Sequence, residues 1–371
     1  MSSGTCASYI SWGADLGASD VTLSMRMTSG DVVYKQFPLD DKDRFTEEIN
    51  IFSGKIMPSV GSGSWRLSEN LEREYGILVE KHREPVCIWT AIESSLINPV
   101  VNGMSAFQFE YGAQESSMSY PISAPYKDID DLKTLMKEVS YNQLLTSFPI
   151  LLVIVKTGTS FYRMDSPSEF VRVGGSSIGS SSLGALGLNL VNEASVSGMV
   201  SKARELTRPS NCDLLVEDIY GGDCSSIGLP GSIIASCLGK ADDSSINSPA
   251  LAKSLLDMMT INTAQLANLH ARIHNCKSAI VVGPLCEELE VSECMQRVLY
   301  ILAGKDKASA LRAVFFRNSK YLGCLGAMLR REMLVQQLRV RGDDIPIDTA
   351  TVEDGLHDET YTKLRVSAPL R

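Results

Sequence analysis

Two stretches of the sequence share one pattern, and this repetition limits the folds that the chain can adopt. Residues 12–27 (WGADLGASDVTLSMRM) and 148–165 (FPILLVIVKTGTSFYRMD) each read as an apolar strand, a glycine turn and a returning strand. The uninterrupted run ILLVIV is typical of a strand buried on both faces. We therefore predict a duplicated fold in which each hairpin begins a central sheet, with DVVYKQF continuing the first sheet.

Helical and extended patterns alternate in the second half of the chain. SPALAKSLLDMMTINTAQLANLHARIH carries apolar residues three and four apart, and Ser248 with Pro249 supplies a helix start. A strand KSAIVVG, a helix VSECMQRVLYILAG, a strand ALRAVFF and a helix from YLGCLGAML follow. This alternation predicts an α/β chain with parallel or mixed sheets. His270 and His274 have the spacing of metal ligands, but no third ligand is near, so we expect half-exposed helix residues.

The bulk composition argues against several classes of partner. The 371 residues carry a formal net charge of -9, which gives no basic surface for nucleic acid or for an anionic membrane. Nine scattered cysteines without a C-x-x-C pair indicate a reducing compartment. No apolar run reaches the roughly 20 residues that span a bilayer, and the N-terminus lacks a signal pattern, so we expect a cytoplasmic protein. Residues 341–371 are predicted to form an acidic C-terminal tail.

Residues 173–190 (VGGSSIGSSSLGALGLNL) consist almost entirely of small residues. One interpretation is a flexible serine and glycine linker. The other is a loop whose backbone N–H groups and hydroxyls line a ligand pocket, followed directly by a helix. The apolar pattern of LGALGLNLV favours the second interpretation, since a linker rarely runs straight into a helix.

Residues 214–240 (LLVEDIYGGDCSSIGLPGSIIASCLGK) resemble the D-I-Y-G-G-D…G-L-P-G motif of the eukaryotic-type (type II) pantothenate kinase family. FVRVGGSSIGSSSLGAL, AIVVG and RAVFFRNSKYLGCLGAML are similar to further motifs of that family, in the same order. The resemblance implies two duplicated ribonuclease H-like lobes of the acetate kinase, sugar kinase, Hsp70 and actin superfamily. We expect a kinase-like domain over residues 9–340, with an N-lobe of about 9–145 and a C-lobe of about 146–340.

The same resemblance implies a function in coenzyme A biosynthesis. Family members phosphorylate pantothenate with ATP and Mg²⁺ and work as dimers, in which a helix such as 249–272 contacts the neighbouring chain. Acyl-CoA is a further candidate ligand of this chain. The fold alone would not establish that chemistry.

The first hairpin resembles the family's D-I-G-G-T-x-x-K phosphate loop. The resemblance implies that Asp15, Gly17 and Ser19 contact phosphate and that Asp15 binds the metal. The family's lysine position is occupied by Thr22, and Asp20 adds a negative charge to the turn. A cation is therefore missing where phosphoryl transfer depends on electrostatic stabilisation.

In the second half, Lys156 and Gly158 lie at the turn that corresponds to the family's second phosphate loop, and Gly283 ends the strand on the adenosine side. Lys156 is a candidate replacement cation. Ser160 and Arg172 match, twelve residues apart, the serine and arginine that hold pantothenate in the family. An arginine fork suits a carboxylate, although a surface ion pair at a strand end is the alternative for Arg172.

The family's general base is the glutamate of G-G-G-x-x-K-F-E, which resembles GSGSWRLSE in this chain. The base position becomes Ser68, and the residues that align with the motif are Gly61, Gly63, Trp65, Arg66 and Leu67. Glu69 is a possible substitute, but one step along a helix rotates a side chain by about 100°. We assign no catalytic base from the sequence.

Two hypotheses follow. The chain is either an active ATP:pantothenate phosphotransferase in which Lys156 or Glu69 has taken over a lost role, or a catalytically impaired pseudokinase. In the second case it would serve as the structural or regulatory subunit of a heterodimer with an intact pantothenate kinase.

Overall fold

A computed structural model describes residues 9–98, 104–111, 122–226, 229–241, 246–304 and 306–341. The strands are β1 (Tyr9–Leu16), β2 (Asp20–Met27), β3 (Val32–Pro38), β4 (Ile56–Val60), β5 (Leu78–Lys81), β6 (Ala106–Phe109), β7 (Met136–Glu138), β8 (Ile150–Val155), β9 (Thr159–Met164), β10 (Phe170–Ser176), β11 (Leu214–Leu215), β12 (Ile234–Ser236), β13 (Ser278–Val282) and β14 (Arg312–Phe316). The α-helices are α1 (Lys42–Asn50), α2 (Gly63–Arg66), α3 (Ser68–Tyr75), α4 (Glu84–Ile97), α5 (Ile129–Leu135), α6 (Tyr141–Leu145), α7 (Ser180–Val191), α8 (Val196–Ala203), α9 (Val216–Tyr220), α10 (Ser248–Ile273), α11 (Leu289–Leu302) and α12 (Leu322–Arg341). The predicted tail lies, apart from its first residue, outside the described residues.

The first sheet has the strand order β3-β2-β1-β4-β5. The two hairpins that join β1 to β2 and β2 to β3 are antiparallel, whereas β4 runs parallel to both β1 and β5. The carboxyl ends of β1, β4 and β5 therefore lie at one edge of this sheet. The predicted first hairpin and its continuing strand are confirmed.

The second sheet repeats that order. Its strands run β10-β9-β8-β13-β14, followed by β6 and β7 at one edge. The β8–β9 hairpin is antiparallel, and β13 runs parallel to both β8 and β14. Three hairpin-linked strands followed by two crossover strands, present twice, are two ribonuclease H-like lobes. The predicted α/β class and the duplication are confirmed.

The described residues fall into two compact units, which differ from the expected lobes in two places. Unit 1 holds those within 1–104, 167–170 and 320–371, and unit 2 holds those within 105–166 and 171–319. Strands β6 and β7, expected in the first lobe, belong to unit 2 because β6 forms an antiparallel ladder with β14. Helix α12, expected in the second lobe, belongs to unit 1 because it packs on β1.

Two glycines allow α12 to lie close to its neighbours in unit 1. A Cβ at Gly13 of β1 would overlap the carbonyl oxygen of Cys324, and one at Gly326 would overlap the carbonyl of Cys87 in α4. The facing residues of α12 are apolar and fully buried, as Met328 shows. Such close packing brings many atoms of the helix and the strand into contact, and the summed dispersion attraction stabilises unit 1.

Local sequence signals explain the elements of unit 2. All six residues of β8 are buried, as the run ILLVIV predicts. Helix α10 begins at Ser248, because the side chain of Asn247 caps it by accepting a hydrogen bond from the Ala250 amide at 3.0 Å. The helix thus begins at the Ser248–Pro249 signal, as predicted.

The segment 173–190 is not a flexible linker. It continues strand β10, turns over residues 177–179 and enters α7. The linker interpretation is therefore wrong, and the helix expected directly behind the small residues is present. None of the helices in the described ranges is both long and apolar enough to cross a bilayer.

A buried ion pair connects two turns of α10. The Lys253 ammonium has no exposed surface and donates to the Asp257 carboxylate at 2.5 and 2.6 Å and to the Ile122 carbonyl at 2.7 Å. One helical turn separates the two side chains, so they share a face of the helix. All three ammonium donors are used, which is the condition for burying a charge at tolerable cost.

Candidate functional site

The turn of the first hairpin is shaped by Gly17. Its amide donates to the Asp20 carbonyl at 2.9 Å, and a Cβ on Gly17 would lie 2.8 Å from both that carbonyl and the Asp20 carboxylate. The Asp20 carboxylate also accepts a hydrogen bond from Gln36 at 2.9 Å. Ser19 is exposed at the tip, and its carbonyl accepts from the Leu39 amide. The tight glycine turn is confirmed, and phosphate contact by Gly17 and Ser19 stays a prediction.

Asp15 lies at the carboxyl end of β1 and is 95% buried, with a relative exposure of 5%. A Cβ at Gly61 would lie 2.6 Å from its Oδ1, and a Cβ at Gly323 would lie 2.6 Å from its Oδ2. Thr22 is its Cα partner across the hairpin, so the two side chains share a sheet face. The Thr22 hydroxyl is buried and has no hydrogen-bond partner among the described residues.

The loop after β4 lies against the same hairpin. Gly61 has a φ of +89°, and a Cβ there would lie 2.5 Å from the Leu16 carbonyl. A Cβ at Gly63 would lie 2.7 Å from that carbonyl. Both positions need glycine because the loop touches the end of β1, which gives a steric reason for the two glycines matched in the sequence.

The position of the family's general base carries no carboxylate. Ser68 is the first residue of α3, and its hydroxyl donates to the Trp65 carbonyl at 3.3 Å. Glu69 follows in the first turn of the helix and is exposed. Because both residues are helical, their side chains point about 100° apart, and a serine hydroxyl does not accept a proton at neutral pH.

Two basic residues at this edge of the sheet received no role from the sequence. Arg66, the last residue of α2, donates from Nη2 to the Ala18 carbonyl at 3.2 Å. Lys81, the last residue of β5, places its ammonium 4.4 Å from the centre of the Trp65 ring. That indole is 58% exposed. The sequence did contain a signal for each residue. Arg66 follows the glycine loop within three residues, and Lys81 ends a parallel strand, which are positions where basic residues often face a ligand.

In unit 2, the turn of the second hairpin is packed against the loop before α7. The Lys156 amide donates to the Gly158 carbonyl at 2.9 Å, and the Lys156 carbonyl accepts from the Ser180 amide at 2.6 Å. A Cβ at Gly158 would lie 2.7 Å from the Ser176 carbonyl. The structure thus brings Lys156 and Gly158 together with the small-residue loop, while a ligand pocket lined by that loop stays a prediction.

Ser160 and Arg172 lie on the neighbouring strands β9 and β10. Ser160 is half-buried, and Arg172 is exposed. The Arg172 guanidinium occupies the space of a Cβ at Gly175, and within the described ranges it forms no ion pair. The alternative of a surface ion pair is therefore not seen there, while pantothenate binding by this pair stays a prediction.

Gly283 follows β13 with a φ of +125°, and a Cβ there would overlap the Val155 carbonyl. Its amide donates to the Ser319 hydroxyl at 3.2 Å. Glycine is therefore required at this position for packing. Contact with a nucleotide by Gly283 stays a prediction.

The two aspartates of the D-I-Y-G-G-D motif stabilise backbone turns. Asp218 accepts from the Leu215 amide at 2.7 Å and from Lys240 at 2.6 Å, and these contacts hold the pKa of its carboxyl below the usual range. Asp223 accepts from the Gly231 amide at 2.7 Å. The motif therefore organises the segment around β11, α9 and β12.

His270 and His274 have rings stacked in parallel at 6.2 Å. His270 also stacks on Phe161 at 4.6 Å, and its ring lies where a Cβ of Gly174 would be. Burial, with a smaller contribution from His274, lowers the pKa of His270. His270 is thus a packing residue, and among the described residues no group of three or more His, Cys, Asp or Glu could hold a metal ion.

Comparisons with known proteins place these motifs in a family. The profile of the Fumble family matches residues 24–330, which is most of the chain. This chain belongs to the Fumble family. Its resemblance to the eukaryotic-type pantothenate kinases is thereby confirmed.

Curated relatives of this Fumble-family protein are of two kinds. The 4'-phosphopantetheine phosphatase of Mus musculus is 27% identical over 278 residues, which are 74% of this chain and 30% of that protein. Pantothenate kinase 1 of Arabidopsis thaliana is 28% identical over 278 residues, which are 72% of this chain and 64% of that protein. The chain thus spans less than two thirds of either relative.

Among solved structures, the activator of the 2-hydroxyisocaproyl-CoA dehydratase from Clostridium difficile, with bound ADPNP, is similar with a TM-score of 0.47 and 9% identity. The similarity covers 91% of this chain and 100% of that chain.

Proposed function

We propose that this Fumble-family protein binds ATP with Mg²⁺ and binds pantothenate, and that its own phosphoryl transfer is strongly impaired. One observation carries the proposal. The hairpin, its glycine loop and the Arg172 strand are intact, whereas the base position holds Ser68 and the lysine position holds a buried Thr22. Cytoplasmic location and acyl-CoA binding stay predictions.

The residues at the end of β1 fit a hydrated magnesium ion. Asp15 offers a carboxylate, and the Thr22 hydroxyl beside it is a buried oxygen without a partner in the described chain. Oxygen atoms are the ligands that Mg²⁺ prefers, and one or two carboxylates suffice when phosphate and water complete the shell. Bound there, the ion would neutralise phosphate charge.

The pantothenate side rests on Arg172. A guanidinium without an ion-pair partner among the described residues retains its charge and its fork of N–H donors for a carboxylate. Ser160 on the adjacent strand would add a hydroxyl donor. These two residues would bind and orient the substrate.

The proton of the pantothenate hydroxyl has no acceptor at position 68. A positioned base contributes about 10²–10⁴ in rate, which is on the order of 3–5 kcal/mol of barrier. The absence of lysine at position 22 removes a further electrostatic contribution of comparable size. We therefore expect turnover far below the roughly 1–100 s⁻¹ of ordinary kinases.

Binding can be tested by calorimetry with ATP–Mg²⁺ and with pantothenate. Arg172→Ala should weaken pantothenate at least tenfold and leave ATP unchanged. Arg163→Ala is the matched control, since Arg163 lies on β9 and pairs with Asp165 at 2.9 Å. Equal pantothenate affinities of Arg172→Ala and the unmodified chain would refute the substrate assignment.

Turnover can be tested with labelled pantothenate and ATP–Mg²⁺. Ser68→Glu combined with Thr22→Lys should raise phosphopantothenate formation, because it restores a base and places an ammonium on the face of Asp15. Ser68→Gln with Thr22→Lys is the control, since glutamine has the size of glutamate without its basicity. Turnover by the unmodified chain at rates ordinary for kinases would contradict impairment and favour Glu69 or Lys156 in a replacement role.

A second candidate is a regulatory or structural subunit of a heteromeric pantothenate kinase. Apolar side chains remain exposed on α9 and at the end of α10: Ile219 (53%), Tyr220 (59%), Leu269 (53%) and Ile273 (69%). Exposed apolar residues of this size suit a protein partner. Isolation of native complexes should recover a second pantothenate kinase with its glutamate intact. Recovery of a homodimer alone would count against this candidate.

A further inference from the structure

The turn of the first hairpin lacks a cation of its own. Its charged residues are Asp15 and Asp20, and the position of the family lysine carries Thr22. A polyphosphate bound at this turn would meet two carboxylates and no positive side chain from the turn itself. Phosphate sites depend on positive charge and N–H donors, so a basic side chain from outside the turn would strengthen phosphate binding beyond what a metal ion at Asp15 supplies.

Helix α2 brings Arg66 to this turn. Gly63, the first residue of the helix, would place a Cβ 3.0 Å from the Gly17 carbonyl and 2.7 Å from the Leu16 carbonyl, so the helix starts directly on the hairpin. Arg66 is three residues further and lies on the same helical face. Its Nη2 donates to the Ala18 carbonyl at 3.2 Å, across 48 residues of sequence.

The charge of Arg66 is not neutralised by the described chain. The Ala18 carbonyl is its one hydrogen-bond partner there, and it forms no ion pair in those ranges. Two other basic residues of unit 1 are paired with carboxylates, Arg26 with Glu332 and Lys35 with Glu48. Arg66 is exposed and keeps the remaining donors of a planar fork, the geometry that binds phosphate with two parallel hydrogen bonds.

We propose that Arg66 is a phosphate-binding residue of this chain, supplying to a bound nucleotide the positive charge that position 22 no longer supplies. This inference rests on the proposed function, since it assumes that nucleotide binds at the first hairpin. It assigns to the loop after β4 a binding role besides that of carrying the base position. Arg66, which lies in the connection between β4 and β5, then supplies the charge of the lysine that is absent from the first hairpin.

The alternative is that Arg66 only clamps the turn through the Ala18 carbonyl. Arg66→Gln separates the two roles, because the glutamine amide keeps an N–H donor for that carbonyl and loses the charge. Arg66→Lys keeps the charge and loses the fork. Arg73→Gln removes the same charge from the next helix, where Arg73 contacts Asn70 and Glu74, and serves as the control.

The experiment measures the Kd of ATP–Mg²⁺ and of adenosine by calorimetry at two salt concentrations, after each variant's unfolding midpoint is checked. Arg66→Gln should weaken ATP–Mg²⁺ about 10- to 100-fold, leave adenosine within twofold and reduce the salt dependence of ATP binding. Arg66→Lys should fall between the unmodified chain and Arg66→Gln, and Arg73→Gln should match the unmodified chain.

Two failures are distinguishable. Equal ATP affinity of the unmodified chain and Arg66→Gln overturns the role of Arg66 and leaves nucleotide binding standing. No ATP binding by the unmodified chain overturns the proposed function and this inference together. A parallel loss of adenosine and ATP affinity in Arg66→Gln assigns the residue to the clamp alone and rejects the phosphate contact.

Discussion

Asp15 and Gly323 are so close that residue 323 has no room for a side chain. A Cβ there would lie 2.6 Å from the Asp15 Oδ2, and a Cβ at Gly61 would lie 2.6 Å from the Oδ1 of the same carboxylate. Glycines of two distant segments, the loop after β4 and the start of α12, thus set the position of one buried acid. Any ion or phosphate that Asp15 helps to bind depends on that placement.

Gly323→Ala should therefore destabilise the protein by about 1–3 kcal/mol, because the new methyl group displaces either the carboxylate or the helix. Urea unfolding measures the change. In an Asp15→Ala background the same substitution should cost less, since the carboxylate is gone. Equal costs in the two backgrounds would show that the methyl group does not press on Asp15.

Lys253→Met should destabilise the protein by about 3–5 kcal/mol, because it leaves the buried Asp257 carboxylate without its cation. The control is Lys133→Met, which removes an exposed partner of Asp130 and should change stability by less than about 0.5 kcal/mol. A cost for Lys253→Met no larger than that of the control would contradict the assignment of a buried charge pair.

The Lys253→Met variant should also respond to pH. Burial raises the pKa of Asp257 from 3.8 to about 6 even beside the lysine, so the folded state binds its proton more tightly than the unfolded state does. Stability from this group therefore increases as pH falls from 6 towards 4. Without the lysine this gain should begin at higher pH, which unfolding at pH 5 and pH 7.5 would detect.

His270 should make the protein less stable in mild acid. Burial, and to a lesser degree His274, lowers its pKa below 6.5, so the unfolded state binds the proton more readily. Stability from this group is complete above about pH 6.5 and is lost as pH falls through the lowered pKa. His270→Phe should flatten the dependence of stability on pH in this range. His274→Gln should make the loss of stability in acid smaller, because it removes the part of the pKa lowering that His274 causes. An unchanged curve in His270→Phe would exclude this residue as the source.

Arg331→Met should cost more than Arg73→Met. The Glu80 carboxylate is buried and accepts hydrogen bonds from Arg331 at 2.5 Å and from His82 at 2.7 Å. Removing the arginine therefore leaves a buried carboxylate without its cationic partner, which is destabilising in a low-dielectric environment. Arg73 and Glu74 are both largely exposed, and such pairs contribute about 0–1 kcal/mol. Thermal unfolding of the two variants gives the comparison, and equal midpoints would argue against a structural role for Arg331.

Much of the fold could be predicted because its signals are local. Hairpins, buried strands and helix starts depend on residues within one or two turns of each other, and the order of two repeated hairpins implied the duplication. The lobe boundaries could not, because β6 joins the second sheet by pairing with β14, about two hundred residues later in the chain. Pairing over that distance leaves no periodic trace in either strand.

The candidate site was likewise predictable only where its signals are local in the sequence. Gly61 and Gly63 were recognised as members of a motif, and the structure supplies the carbonyls that exclude a side chain there. The contact between Arg66 and Ala18 was not predicted, since it depends on how closely α2 packs on the hairpin. The small residues of 173–190 were ambiguous because serine and glycine suit a linker, a strand edge and a tight loop equally.

Helix α12 packs on the first sheet at Gly13 of β1 but lies about three hundred residues later in the chain, and this order has a consequence for synthesis. Translation delivers β1 to β5 long before the ribosome reaches the helix that covers Gly13. Until then the face of this sheet around Gly13 has no helix to cover it, and its apolar surface is exposed on the nascent chain. Within this chain, the sheet of unit 1 is therefore synthesised before the helix that covers it.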